Sequence, residues 1–392
     1  MKTGFVTLLV SIVTTAVLLL QWASVVSARG NSRTSWTFMV YLDADNSLDQ
    51  FGPINLQQMS DGLVAGTIVN VVVLMDRLNL PAYTYEVTHE EIKVVQSLGE
   101  VDMGSPDTLT SFVTFAMKKY PAAYYFLDLW DHGGGYRGVC WDDSSGHHLS
   151  PHDVETAVAS AESKMKQRVQ VVGFDACLMG MVEVTYELKD VTDVVVGSEM
   201  LIPGLGWPYA PLTAYLSANP TVDPYAFSGW LVAAYVAMYP YYTVQLSAIS
   251  EAAFIDFTVS LNSFADALKA NVAAYQGIIA GARGDAQQKF ILGTMGVYYY
   301  VDVYKFARLV GERGCDPNVT AWSVNVMGRL DAAVFAEAHT AQLGNLDAKQ
   351  FGLTINFPPN AQAYSASYET YVPCFVQETS WQPFLTAYYS AM

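Results

Sequence analysis

Two short stretches of the chain carry side chains that could perform nucleophilic catalysis. In residues 129–135 an apolar run leads to His132 and three glycines, and in residues 172–177 another leads to Cys177. Both runs are typical of buried strands, and one helical segment lies between them. Neighbouring parallel strands end at the same edge of a sheet, where open α/β folds form their sites. We therefore expect His132 and Cys177 to face one cleft, although they are 45 residues apart.

A cysteine and a histidine in one cleft can catalyse acyl transfer. The thiol attacks as a thiolate, and a nearby imidazole can take its proton and later protonate a leaving amine. Residues 178–188 are expected to form a helix, whose N-terminal dipole would favour negative charge on Cys177. The glycines after His132 allow a backbone N–H to approach a substrate carbonyl closely and to stabilise an oxyanion.

The same residues also have ordinary structural interpretations. A lone cysteine at a strand end is usually part of the core, and a histidine beside glycines is usually a loop residue. A catalytic interpretation is favoured only when the two strand ends are considered together. Two other hydrolase classes lack their motifs, because the chain has no Gly-x-Ser-x-Gly elbow and no His-Glu-x-x-His helix.

A second cluster raises the alternative of a metal site. Its side chains are types that bind zinc, and they lie within 13 residues: Cys140, His147, His148 and His152. Their spacing matches no established zinc motif, and the acidic pair between them, Asp142 and Asp143, gives only an incomplete calcium pattern. From the residues alone we predict no metal ligand, and a metal-dependent hydrolase is the lesser hypothesis.

The surrounding elements predict an α/β fold. Strands are expected at residues 36–42, 68–75, 124–130, 169–174 and 194–197, with a hairpin over residues 83–95 at the edge of the sheet. Ser105 and Ser150 mark helix starts. Apolar strands that alternate with helices indicate a parallel sheet covered on both faces.

The chain changes character after about residue 210. Helices are expected at residues 252–275 and 303–312, and further strands at residues 243–249 and 352–357. The predicted organisation is a signal peptide at residues 1–28, a catalytic domain at residues 29–240, and a C-terminal part at residues 241–392. The boundary near residue 240 is soft.

Composition limits the classes of partner and the compartment. The 392 residues are 52% hydrophobic and carry a net charge of −17, which disfavours nucleic acid because a phosphate backbone would be repelled. An apolar run over residues 5–20 and small residues up to Ala28 indicate a secretory signal peptide, with an uncleaved anchor as the alternative. We expect a secreted or lumenal protein without a membrane segment after cleavage.

Cysteine usage fits that compartment. The chain has four cysteines, and disulfides are permitted in an oxidising environment. If Cys177 is catalytic, at most one pair can form among the other three, Cys140, Cys315 and Cys374. The pair Cys315–Cys374 is preferred.

Four stretches together resemble the clostripain family of cysteine peptidases, in the caspase, gingipain and legumain group. They are residues 38–48, 120–135, 173–188 and 352–358, and the likeness spans roughly residues 36–390. The resemblance implies a caspase-like, mostly parallel sheet sandwiched by helices, with a C-terminal α+β extension. It also implies that His132 and Cys177 form the catalytic dyad. The backbone N–H groups of Gly133 and Cys177 would then be the oxyanion donors.

The resemblance further implies a substrate preference. Clostripain-like enzymes cleave after Arg or Lys with acidic groups in the S1 pocket, and Asp175 matches such a position, although it could also cap the following helix. Residues 197–207 resemble the loop that lines the pocket, which makes Ser198 and Glu199 candidate substrate-binding residues. No cofactor is expected, but calcium stays open because some relatives respond to it.

The sequence thus predicts a secreted cysteine endopeptidase that forms a thioester acyl-enzyme and cleaves peptides or proteins after Arg or Lys. A transpeptidase or ligase could use the same dyad, because an amine can replace water as the acceptor. A non-catalytic binding or scaffold protein on the same fold is the alternative from another class. The sequence does not indicate an oligomeric state.

Overall fold

A computed structural model describes residues 34–287, 291–292, 296–340 and 352–392 of the chain. The predicted signal peptide lies outside these residues. In the described part of the chain, no helix is long and apolar enough to cross a membrane.

The framework is a sheet of nine strands, and four short strands form two small additional pairs. In chain order the strands are β1 (Thr34–Ala44), β2 (Val69–Arg77), β3 (Leu80–Val87), β4 (Ile92–Gly99), β5 (Ala122–Trp130), β6 (Val171–Asp175), β7 (Val194–Gly197), β8 (Gln245–Ser250), β9 (Ile291–Leu292), β10 (Gly296–Val297), β11 (Tyr300–Asp302), β12 (Val334–His339) and β13 (Thr354–Asn356).

The nine-stranded sheet has the order β12-β8-β7-β6-β5-β1-β2-β3-β4. Its five central strands are mutually parallel, and the strands on either side of them pair antiparallel. The central strands are rich in β-branched residues and almost entirely buried, as expected when helices cover both faces. Strands β5 and β6 are direct neighbours, with Trp130 opposite Asp175, so the two predicted strand ends meet at one edge of the sheet.

Helices cover the two faces and enclose two hydrophobic cores. They are α1 (Gly52–Gly62), α2 (Pro106–Lys119), α3 (Pro151–Met165), α4 (Val182–Glu187), α5 (Tyr209–Ala218), α6 (Pro224–Met238), α7 (Glu251–Ala270), α8 (Val272–Ala286), α9 (Val303–Glu312), α10 (Pro317–Ala333), α11 (Ser367–Tyr371), α12 (Pro373–Glu378) and α13 (Trp381–Ser390), with short 3-10 turns at Gly135–Arg137 and Ala361–Ala363.

Both serines that were predicted to mark helix starts directly precede a helix, but only one of them caps its helix with its side chain. Ser150 caps α3, where its side chain and that of Asp153 each accept the other's backbone N–H. Ser105 precedes α2 as predicted, but its side chain makes no capping hydrogen bond. The helix expected over residues 252–275 is two helices, because Asn271 leaves the helical conformation with φ −133°.

The C-terminal segment is bonded to the region around Cys177. Strand β13 pairs antiparallel with β11, and Thr354 N–H donates to Gly180 O at 3.0 Å. Glu183 on α4 accepts the backbone N–H of Asn356 at 2.7 Å and the hydroxyl of Tyr368 at 2.9 Å. Strands β8 and β12, which follow residue 240, join the main sheet, and the predicted boundary at that residue stays a prediction.

Candidate active site

A pocket of about 250 Å³ lies at the carboxyl edge of the parallel strands. Both His132 and Cys177 contribute to its wall, as the two strand ends predicted. The remaining lining comes from strand ends and from two loops: Leu48, Trp130, Asp131, Gly133, Asp175, Leu201, Ile202, Pro203, Gly204 and Gly206.

Cys177 lies two residues beyond the end of β6 and is held by the loop that faces it. Ile202 N–H donates to Cys177 Sγ at 3.3 Å, and Ile202 O lies 3.8 Å from the same sulfur. Burial raises the pKa of the Cys177 thiol to about 11. The thiol is therefore protonated at neutral pH in this state, and a base must take its proton before it can attack.

The expected helix dipole behind Cys177 is not there. Residues 178–181 are not helical, and α4 begins only at Val182 and has six residues. Leu178 has φ +67°, and Met181 is extended. The prediction of a helix from residue 178 is wrong because the chain makes a sharp turn directly after the cysteine.

His132 contacts a serine of the turn that follows β1. Its Nε2 lies 2.8 Å from Ser47 Oγ, which leaves Nδ1 as the ring nitrogen able to exchange a proton with a reacting group. Burial lowers the pKa of His132 below its usual value. A neutral imidazole in the same pocket as a neutral thiol can act as its general base.

A buried network fixes the histidine loop to the same turn. Asn46 Nδ2 donates to Asp131 Oδ1 at 2.7 Å and to Trp141 O at 3.0 Å, and Trp141 N–H donates to Asp131 Oδ2. Sequence reasoning did not assign roles to Ser47, Asn46 or Asp131. The polar turn at the end of the first apolar strand was the signal that could have identified them.

Gly133 brings its backbone against that of Cys177. A Cβ at Gly133 would lie 2.2 Å from Cys177 O and 2.9 Å from Cys177 N, so no side chain fits between the two residues. Neither N–H donates to a backbone carbonyl within the described residues. The two N–H groups could therefore donate to an oxyanion formed beside the Cys177 sulfur.

Asp175 is buried at the pocket wall and belongs to a carboxyl pair. Its Oδ2 accepts Trp207 N–H and Tyr209 Oη–H, both at 2.8 Å, and Tyr209 Oη also lies 2.7 Å from Asp128 Oδ2. Oδ1 has no partner in the described part of the chain. Burial raises the pKa of Asp175 to about 7 and raises that of Asp128 as well. A buried carboxylate with a free oxygen can bind a cationic group.

The other two candidate substrate-binding residues do not reach the pocket. Ser198 and Glu199 are fully buried, and neither lines the cavity. Ser198 Oγ accepts Met200 N–H at 2.9 Å, and the pKa of Glu199 is raised by burial and by nearby Asp302. β7 ends at Gly197, and this segment reaches the pocket wall only at Leu201. Both residues therefore lie buried between the strand and the pocket.

The zinc alternative is not supported by the side-chain positions. The candidates were Cys140, His147, His148 and His152. Cys140 is fully buried, His147 Nδ1 lies 2.7 Å from Asp102, the His148 ring stacks on Trp141 at 3.9 Å, and His152 Nδ1 lies 3.3 Å from Glu187. The three histidines therefore have three different neighbours, and the cysteine is enclosed in the core.

The preferred disulfide is not formed. Cys315 and Cys374 have free thiols, as do Cys140 and Cys177. Cys315 precedes α10, whereas Cys374 lies in α12 beside Glu187. This expectation is wrong because the number of cysteines does not determine which of them the fold brings within bonding distance.

The fold and the site together define a class of protein. A mostly parallel sheet lies between helices, and at its carboxyl edge a cysteine and a histidine from adjacent strand ends face one pocket. This is the caspase-like arrangement that the resemblance implied.

Comparison with known proteins gives the family. The model of the clostripain family matches residues 40–388, and the chain belongs to this family. Clostripain of Hathewaya histolytica is 28% identical over 220 residues, which are 46% of this chain and 41% of that protein. The match thus spans about two fifths of the length of that curated relative.

Solved structures confirm the fold. An inactive zymogen C11 protease from Parabacteroides distasonis superposes with a TM-score of 0.68 at 18% identity, over 91% of this chain and 99% of that one. A secreted C11 cysteine protease from Bacteroides thetaiotaomicron, solved with an irreversible peptide inhibitor, gives 0.65 at 20% identity, over 90% and 99%. The predicted caspase-like fold is confirmed.

Proposed function

We propose that the protein is a secreted cysteine endopeptidase that hydrolyses peptide bonds through Cys177 and His132 and prefers Arg or Lys at P1. The observation that carries the proposal is the meeting of these two side chains in one pocket beside the buried carboxylate of Asp175. Membership of the clostripain family supports it, as does the peptide inhibitor bound to the relative from Bacteroides thetaiotaomicron.

Acylation begins with removal of the thiol proton. His132 accepts this proton, and the sulfur of Cys177 attacks the scissile carbonyl carbon, so that the carbonyl electron pair moves onto oxygen. The N–H groups of Gly133 and Cys177 donate to the resulting oxyanion. When the tetrahedral intermediate collapses, the C–N bond breaks and His132 returns the proton to the leaving amine.

Deacylation uses the same groups in reverse. Water loses a proton to His132 and attacks the thioester carbonyl, and the same two N–H groups stabilise the second oxyanion. The C–S bond then breaks, the thiol of Cys177 is regenerated, and the acid product leaves.

The pocket supports a basic P1 side chain. Asp175 Oδ1 is buried without a partner in the described residues, and a buried, unpaired acceptor is unfavourable. A guanidinium or ammonium group would complete its hydrogen bonding. The rest of the wall includes Trp130, Leu201 and Pro203, which can pack against the aliphatic part of an Arg or Lys side chain.

Short fluorogenic peptides with different P1 residues test this function. The wild type is assayed with Arg, Lys, Asp, Asn or Leu at P1, beside the variants Cys177→Ala and His132→Ala. We expect cleavage after Arg and Lys that falls by about 10³-fold or more in both variants.

Cys315→Ala is the matched control, because it removes a thiol outside the pocket, and it should retain wild-type activity. Activity that persists in Cys177→Ala would refute the proposed nucleophile. Absence of cleavage by the reduced wild type would favour a binding or scaffold protein.

A further inference from the structure

Three side chains of types that bind metal ions meet where the C-terminal segment packs on the helices of the main sheet. They are His152 in the first turn of α3, Glu187 at the end of α4, and Cys374 in the first turn of α12. One ligand atom from each lies within 4.8 Å of the other two. The three helices are far apart in sequence, so only the fold brings these atoms together.

The spacing of the atoms suits ligands around one zinc ion. Zn²⁺ binds nitrogen, oxygen and sulfur at about 2.0 to 2.3 Å, so two ligand atoms of a tetrahedral site lie about 3.3 to 3.7 Å apart. His152 Nδ1 lies 3.3 Å from Glu187 Oε2, which matches this separation. Cys374 Sγ lies within 4.8 Å of both atoms, so a small rotation of its side chain is enough to complete the set.

The carboxylate of Glu187 is oriented toward this point. Its side chain is fully buried, and its Oε1 accepts the backbone N–H of Phe375 at 2.9 Å, which leaves Oε2 facing His152. Hydrogen bonds of this kind orient the ligands of zinc sites. A buried carboxylate is costly without a positive charge beside it, and an imidazole supplies that charge only when it is protonated.

Glu187 also acts on the thiol of Cys374. Burial and this neighbouring carboxylate raise the pKa of the thiol to about 11. The nearby ammonium group of Lys189 opposes the shift, but it is paired with Glu378 at 3.2 Å. A metal ion between the sulfur and the carboxylate would remove their repulsion, so that the sulfur could bind as a thiolate with release of its proton.

The mixture of donors identifies the ion. Calcium and magnesium bind oxygen ligands, whereas imidazole, carboxylate and thiolate are all ligands of zinc. Three protein ligands leave one tetrahedral position, which water or Glu155 can fill, because Glu155 Oε2 lies 3.9 Å from His152 Nδ1 on the same face of α3. The side chain of His152 is 39% exposed, so an ion can enter from solvent.

We propose that His152, Glu187 and Cys374 form a zinc site that fastens the C-terminal segment to helices α3 and α4. All four cysteines of the chain have free thiols, so the ion would supply a cross-link that no disulfide provides. It would strengthen the contact of α12 with α4. The inference concerns metal binding and stability, and it does not depend on the proposed peptidase activity.

The site is not the zinc cluster considered in the sequence. Only His152 is shared, whereas Cys140, His147 and His148 do not belong to the group. Glu187 and Cys374 replace them, and both lie far from His152 in sequence. Local spacing therefore gave no signal for this arrangement.

Zinc titration tests the site directly. Because Zn²⁺ could also bind Cys177 together with His132, the parent protein is the full chain with Cys177→Ala and without a histidine tag. It is treated with EDTA, dialysed and titrated with ZnCl₂ in a calorimeter, with excess CaCl₂ to occupy sites made only of oxygens. We expect one Zn²⁺ per chain, proton release, and a melting temperature raised by about 4 °C at a hundredfold excess over the dissociation constant. Absence of zinc binding would overturn the proposal.

Conservative variants locate the ion. Added to the parent, Cys374→Ser and His152→Gln should each weaken zinc binding by about tenfold or more, since losing even a group that only orients a ligand costs about 10- to 100-fold. Cys315→Ser and His147→Gln remove the same kinds of side chain elsewhere and should bind as the parent does. His152 is partly exposed, so its variant decides the matter if Cys374→Ser folds poorly. Equal weakening in the controls, or parent-like binding by His152→Gln, would contradict the assignment.

Cobalt substitution reports on the sulfur ligand itself. Co²⁺ bound to a thiolate gives a sulfur-to-metal charge-transfer absorption, which we expect in the parent and not in Cys374→Ser. Amide exchange in residues 367–378 should also slow when zinc is bound, because the ion would tie this segment to α3 and α4. A cobalt complex of the parent that lacks the absorption would exclude Cys374 as a ligand and overturn the proposed site.

Discussion

At the scale of single residues, the proposed nucleophile and the proposed base are both neutral at rest. The pKa of the Cys177 thiol is raised to about 11 by burial, and the pKa of His132 is lowered by burial. The thiol is held by Ile202 N–H, which belongs to the loop that lines the pocket. Because the thiol is protonated at rest, His132 would have to take its proton before the sulfur can attack a substrate carbonyl.

Asp175 is predicted to make the proposed P1 preference depend on pH. Its pKa is raised to about 7, so the carboxylate that would bind a basic P1 group is present above this pH and is lost as the pH falls through it. Asp128, Tyr209 and Cys177 are titratable groups close to it, and burial raises the pKa of all three.

The measurement compares kcat/KM for a P1 Arg peptide with that for its uncharged isostere citrulline. We expect the Arg/citrulline ratio to fall by about tenfold between about pH 8 and about pH 6, because one pKa unit corresponds to a tenfold change in the charged fraction. In Asp175→Asn the ratio should be low and independent of pH. A ratio that is constant across this range in the wild type would exclude Asp175 as the P1 partner.

Ser47 is predicted to position His132. Replacing it with Ala removes the hydroxyl that lies 2.8 Å from Nε2, and the loss of one hydrogen bond of this kind corresponds to a decrease in kcat of about 3- to 10-fold. KM should not change, since Ser47 is not among the residues that line the pocket. Ser263→Ala, which removes a hydroxyl bonded only to its own helix, is the control, and an equal loss there would argue against positioning.

At the scale of elements, the close packing of two loops brings the proposed oxyanion donors together. Gly133→Ala would place a Cβ 2.2 Å from Cys177 O, so one of the loops must move. We expect kcat to fall by about 10²-fold or more and the melting temperature to decrease. Gly277→Ala is the matched control, because a Cβ there meets nothing within 4 Å, and it should leave both quantities nearly unchanged. Wild-type kinetics in Gly133→Ala would show that its N–H is dispensable.

The elements themselves were largely predictable from sequence. Uniformly apolar runs marked the parallel strands, and residues 303–312 match α9 at both ends. The helix expected from residue 178 is not formed because the chain turns sharply there and brings Gly180 close to the neighbouring segment. A Cβ at Gly180 would lie only 2.7 Å from the backbone carbonyl carbon of Ser198, and no local sequence pattern predicts this contact. Ser198 and Glu199 were predicted to bind substrate, but they do not line the pocket. The sequence could not show this, since the direction of a loop side chain depends on what packs around it.

At the scale of the whole molecule, the two halves of the chain converge on Cys177. Residues 122–177 supply the reacting groups, and the segment after residue 352 bonds to the turn and helix directly behind them. For example, the single side chain of Glu183 accepts hydrogen bonds from both Asn356 and Tyr368. Such long-range contacts could not be read from the sequence, which predicted Cys177 and His132 as nucleophile and base but not the residues that contact their surroundings.

Selective labelling of Cys177 tests the central claim most directly. An irreversible peptidyl acyloxymethyl ketone with Arg at P1 requires a nucleophilic thiol, a base and a substrate pocket in one place. The other three free thiols, Cys140, Cys315 and Cys374, are internal controls. We predict one label per chain, mapped to Cys177 by peptide mass spectrometry and absent in His132→Ala. Labelling of another cysteine, or equal labelling without His132, would contradict the account.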